Sequence, residues 1–129
     1  MFVDWKFIAC VVSDYPVGID IELIKIPNLK IEERFFARDE IDYINNGKQT
    51  QRFYEVWTKK ESYIKYESKG LTITLPSFSV FDQSTKISFH RVFHNDESIC
   101  HVCSSIQEEP SVRVIDTDTL FHMIVDDSF

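Results

Sequence analysis

Asp20 and Glu22 stand two residues apart in "VGIDIEL", and further along "TKKESYIK" holds Glu61 with Lys60 before it and Lys65 after it. Alternate residues of a strand lie about 7 Å apart on one face, so both carboxylates of the first pair can reach one cation. Without a counter-charge they repel, and one of them tends to stay protonated. A hard divalent ion such as Mg²⁺ removes the conflict, since it takes oxygen ligands from one or two carboxylates and from substrate phosphates. For this pair alone, a solvated outer strand face is the alternative.

Glu61 belongs to a helical pattern. At about 100° per residue, Phe53, Val56, Trp57, Tyr63 and Ile64 make one apolar arc, with Glu61 at its edge and Lys60 inside it. Burying an unpaired carboxylate is expensive. A third metal ligand, carried on a helix packed against the strand, accounts for Glu61, and Lys60 and Lys65 then face the anion that the metal holds. The alternative is an i,i+4 pair of Glu61 with Lys65, worth only tenths of a kcal/mol. It leaves Lys60 to be explained by snorkelling.

The elements that must position these groups follow from periodicity and punctuation. Phe7 to Ser13 reads as a buried strand, "SDYP" as a turn, and Val17 to Leu23 as an alternating strand, the two runs forming a hairpin. After a loop around Pro27, helical segments are expected at Ile31 to Ala37 and Asp39 to Asn45, stopping at Asn46-Gly47. The long helix is expected from about Thr50 to Ser68, capped at Gly70. Short strands then follow at Ser77 to Phe81, Lys86 to Phe93, Ile99 to Ser105 and Val112 to Ile115, with a last helical turn from Asp116 or Thr117. Strands, then helices, then strands give an α+β class, an antiparallel sheet packed against helices.

The 129 residues suffice for a single domain, 1–129, with a real core. The longest apolar run, Phe7 to Val12, is too short to span a membrane, and Asp4 argues against a signal peptide. Three cysteines, an odd and sparse set, fit a reducing cytoplasm. A net charge of −7 argues against nucleic-acid binding. The charge is uneven: Lys25 to Lys69 holds ten basic and eight acidic residues, Asp82 to Phe129 three and nine. An acidic partner would meet the first half. "CHVC", Cys100 to Cys103, is not expected to bind zinc, because strand residues three apart face opposite ways and no second pair completes a tetrahedron.

"PVGIDIE" followed by "FYEVWTKKESYIKYESKGL" resembles the 4′-phosphopantetheinyl transferases of the surfactin-synthetase-activating (Sfp) type. Their pattern is a G-I-D-x-E strand and then W-[TS]-x-K-E-[SA]-x-x-K ending at a glycine. "RFFARDE" and "LPSFSV" extend the likeness, weakly as far as Cys103. The resemblance implies transfer of the phosphopantetheine arm of coenzyme A to a serine of an acyl or peptidyl carrier protein, releasing 3′,5′-ADP. It implies that Asp20, Glu22 and Glu61 hold Mg²⁺, that Lys60 and Lys65 contact phosphate, and that Glu61 and Lys65 serve as base and acid.

Members of this type have two pseudo-repeated halves, and a Ser-His motif shortly before the strand that matches here. Met1 to Lys6 contain no His. The chain is therefore expected to be a half-domain, the second half of that architecture, working as a homo-oligomer or with a separate N-terminal half. The small holo-carrier-protein synthases, single-half chains with sites between subunits, imply that this can work. The alternative is a catalytically silent fragment kept as a binding module.

Overall fold

The computed structural model describes residues 2–3, 7–27, 30, 32–67, 73–82 and 86–125. Two short strands, β1 (Phe2–Val3) and β2 (Ile8–Ala9), pair with each other antiparallel. The principal sheet has β3 (Val17–Leu23), β4 (Ser88–His94) and β5 (Ser98–Ser104) in the order β3-β5-β4, all antiparallel. Among the described residues it is accompanied by the helices α1 (Glu32–Phe35), α2 (Arg38–Asn45), α3 (Gln49–Glu67) and α4 (Thr117–Val125). This is the expected α+β arrangement.

Alternation in β3 sorts its residues into two different environments. Ile19 and Ile21 join Cys100 and Val102 in an apolar cluster, flanked by Phe7, Ala9, Val11 and Phe93. The opposite face carries Gly18, Asp20 and Glu22, register partners of Cys103, His101 and Ile99, and α3 packs over it. Every residue of the central strand β5 is buried. Its imidazole at His101 meets the Thr58 hydroxyl of α3, Nδ1 to Oγ1 2.7 Å.

Gly18 permits this packing. A Cβ there would collide with the Ser62 carbonyl and the Tyr66 amide of α3, and would stand 3.1 Å from the Lys65 carbonyl carbon. The helix backbone rests where a side chain would be.

A second core lies on the other flank of α3. Phe36, Ile44, Phe53 and Val56 are buried together, with Trp57, Val80 and Phe81 against them. Lys60 extends into it with no solvent exposure, its ammonium 2.7 Å from Glu40 Oε1 and 2.6 Å from the Phe78 carbonyl. Glu40 is equally buried and also accepts the Ala37 amide at the start of α2 (2.7 Å) and the Val80 amide (2.8 Å). Two carboxylate oxygens thus tie α2, α3 and the 78–80 segment together.

Several expectations need correction. Phe7 to Ser13 yields only the two residues of β2, and the expected hairpin with Val17 to Leu23 does not form, because β3 takes β5 as its partner. Ser77 to Phe81 is no strand: a 3-10 turn at Leu75–Ser77 precedes backbone whose Phe78 carbonyl and Val80 amide are engaged by Lys60 and Glu40. Val112 to Ile115 is irregular, lining a cavity of about 320 Å³ on the apolar sheet face with Phe7, Val11, Phe93 and Leu120. α4 exposes Phe121, Ile124 and Val125. The expected cap at Gly70 lies outside the described residues.

Gly18→Ala should force α3 off β3 and lower unfolding stability by about 3 kcal/mol in urea titration. Gly47→Ala, whose Cβ would displace the Arg52 guanidinium rather than backbone, should cost less, about 1 kcal/mol.

Candidate functional site

The polar face of β3 and the C-terminal half of α3 bring together Asp20, Glu22, Glu61 and Lys65. Asp20 is fully buried, with Oδ1 2.9 Å from the Lys65 ammonium. The same ammonium donates to the Ile19 carbonyl at 3.0 Å. Asp20 Oδ2 is buried as well and has no hydrogen-bond partner among the described residues. A buried carboxylate oxygen without a partner is costly.

Glu22 is oriented by Trp57, whose indole Nε1 donates to Oε1 at 3.1 Å. Trp57 is held in turn by edge-on contacts with Phe35 and Phe36. Glu61 is half-buried on the next turn of α3. Lys65, paired with Asp20, also acts electrostatically on Glu61, and its side chain is one-third exposed.

Charge balance explains the protonation behaviour. Burial first, then the Glu22 carboxylate, raise the Asp20 carboxyl to about 8, and Lys65 only partly opposes them. Burial also raises Glu61, with Lys65 opposing and Glu22 reinforcing the rise. When Asp20, Glu22 and Glu61 are all ionised, their mutual repulsion exceeds what Lys65 offsets among the described residues, and a cation would relieve it. Among the described residues, however, no three carboxylate, imidazole or thiol groups converge tightly enough to form a finished metal-binding cluster. The donor set suits a hard cation in its chemistry, and the orphaned Asp20 oxygen gives it a place to bind.

Lys60 does not join this group. Its ammonium is enclosed by Glu40, the Phe78 carbonyl and the Phe78 ring 4.1 Å away. The expected phosphate contact is therefore corrected: a lysine with no solvent exposure and a saturated carboxylate partner cannot reach a ligand in the β3–α3 cleft. The acid that explains it, Glu40, lies twenty positions away in "RDE" and is visible in sequence only as an N3 glutamate of α2.

Three further residues support the site without being singled out by motif reasoning. Gly18 sets the strand-to-helix distance and Trp57 aims Glu22. His101, Asp20's register partner on β5, has its imidazole pushed down to about 3 by burial and then by Lys59, Arg91 and His94.

A model of the 4′-phosphopantetheinyl transferase superfamily matches residues 16–119. The 4′-phosphopantetheinyl transferase Sfp of Bacillus subtilis is 42% identical over 78 residues, covering 58% of this chain and 35% of that protein. The 4′-phosphopantetheinyl transferase gsp of Aneurinibacillus migulanus is 37% identical over 89 residues, 67% of this chain and 38% of that one. The ffp transferase of Bacillus subtilis is 48% identical over 68 residues, 50% and 30%. The chain thus spans about a third of the length of the curated relatives it matches.

A carboxyl raised from 3.8 to about 8 binds its proton more tightly when folded. The stability this contributes is complete below pH 3.8 and is lost as pH rises through 8. Urea unfolding followed from pH 5 to 9 should show that decline, and Asp20→Asn should flatten it and leave the protein more stable than wild type at pH 9.

Proposed function

This chain belongs to the 4′-phosphopantetheinyl transferase superfamily, and we propose that it takes part in moving the phosphopantetheine group of coenzyme A to a serine of an acyl or peptidyl carrier protein. The observation that supports this reading most is the buried, half-satisfied Asp20 facing Lys65 in a strand–helix cleft with Glu22 and Glu61 nearby.

In this reading Asp20, Glu22 and Glu61 hold Mg²⁺. Bound there, the ion would neutralise charge developing on the transferred phosphoryl group. Lys65, one-third exposed, turns from Asp20 to a phosphate oxygen of coenzyme A. The acceptor serine oxygen forms the new P–O bond while the bond to 3′,5′-ADP breaks. Glu61, whose proton affinity burial raises, takes the serine proton directly or through water. Lys65 returns a proton to the departing ADP. Lys60 has a structural part, locking α3 to α2.

We assign the opposite wall of the cleft to a second copy of the chain, or to a separate N-terminal half, with 1–129 acting as one domain. Exposed Ile8, Val12, Phe121 and Ile124 offer apolar surface for such association. A cytoplasmic setting suits the free thiols of Cys10, Cys100 and Cys103. No helix among the described residues is long and apolar enough to cross a membrane.

Mass spectrometry of an apo carrier protein incubated with coenzyme A, Mg²⁺ and this chain should show the added phosphopantetheine group. The rate should fall more than proportionally on dilution, and by about 100-fold or more in Glu61→Gln. Absence of transfer at every concentration, with or without a supplied N-terminal half, would contradict the reading and leave a binding module.

A further inference from the structure

A second cavity, of about 370 Å³, lies toward the N-terminal end of α3, where α2, α3 and the β4–β5 hairpin meet. Lys48, Arg52, Arg91 and His94 line it, and Glu55 is the one acid among its lining residues. This clustering occurs in a chain of net charge −7. Glu55 is already engaged: its Oε2 accepts the Tyr43 hydroxyl at 2.8 Å and its Oε1 the Lys59 ammonium at 3.3 Å. Arg91 Nη2 stands 3.8 Å from Glu55, too far for a hydrogen bond.

Arg52 is fixed in this cavity by the fold. Its Nη1 donates to the Tyr43 carbonyl at 2.7 Å, and its guanidinium lies 4.2 Å over the Tyr43 ring. Gly47 leaves the room it occupies, since a Cβ there would run into the guanidinium. That one bond uses a single donor of the five a guanidinium carries. The positive field reaches into the core: Arg91 and His94, with Lys59, add to burial in depressing His101.

We propose that this cavity binds a phosphate group, with Arg52 and Arg91 as fork-shaped donors and Lys48 and His94 at the rim. Two guanidinium planes approaching from different elements suit a tetrahedral dianion, whose oxygens accept several charge-assisted bonds at once. Glu55 is shared among Tyr43, Lys59 and a long 3.8 Å ion pair with Arg91, so its one charge offsets only part of a cluster that holds Lys48, Arg52 and Arg91. The cavity shares no lining residue with the Asp20–Lys65 cleft, and the proposal does not depend on transferase activity. Its ligand is free phosphate or a small phosphomonoester.

The test is a titration of ¹⁵N-labelled protein with inorganic phosphate and, separately, glycerol 3-phosphate, at low salt with chelator present. Saturable amide shifts should centre on Gly47, Lys48, Arg52 and His94. Tighter binding of glycerol 3-phosphate would identify a phosphomonoester ligand, and equal affinity would identify free phosphate. Arg91→Gln and Lys48→Gln, both changes at exposed side chains, should each weaken binding about tenfold. Lys65→Gln should leave it unchanged. Absence of saturable shifts with both anions, or affinities unaffected by Arg91→Gln and Lys48→Gln, would overturn the proposal. So would a response abolished by Lys65→Gln.

Discussion

The backbone of α3 lies directly on β3 at Gly18, and the chemistry of the cleft depends on that distance. A helix normally meets a sheet through a layer of aliphatic side chains. Here Thr58, Ser62 and Lys65 supply the sheet-facing stripe, opposite His101, Gly18 and Asp20. Close approach lets the Lys65 ammonium reach both the Asp20 carboxylate and the Ile19 carbonyl. It also removes water from Asp20, which raises that carboxyl to about 8. Moving the helix outward by one methyl group would relax every one of these contacts.

Two lysine–carboxylate contacts on the same helix show how hydrogen-bond satisfaction separates structure from chemistry. Lys60 and Glu40 are both fully buried, and each has further partners: the Phe78 carbonyl for the ammonium, the Ala37 and Val80 amides for the carboxylate. Such a closed network costs desolvation but leaves nothing to offer a ligand. Asp20 has one oxygen on Lys65 and the other without a hydrogen-bond partner among the described residues, beside the Glu22 carboxylate. That imbalance destabilises the fold, and a cation with anionic substrate would relieve it. The trade of stability for binding capacity is common at functional sites.

Local patterns carried much of this into the sequence. Strict alternation delimited β3 with its observed ends, and the 3.6-residue period with Gly47 before it located α3 within a residue or two. Asp20 and Glu22 stood out as two carboxylates on one strand face, and Glu61 as an acid at the edge of an apolar helical arc. Lys60 was readable as anomalous but not as structural, since its partner Glu40 sits on another helix. Pairing of β3 was likewise hidden, because its neighbour β5 lies about eighty positions on, whereas the expected hairpin partner was adjacent. Apolar alternation at Ser77 to Phe81 misled because side chains, not a neighbouring strand, took up the backbone groups.

The proposed site requires Asp20, Glu22 and Glu61 to act together on one cation. Paramagnetic relaxation by Mn²⁺, measured on ¹⁵N-labelled protein, reads this most directly because line broadening falls off steeply with distance from the ion. With coenzyme A present, broadening should centre on the amides of Asp20 to Glu22 and Lys60 to Ser62, and should disappear in Asp20→Asn. Broadening centred instead on the exposed acids of Asp116 to Asp118, or undiminished in Asp20→Asn, would contradict that requirement.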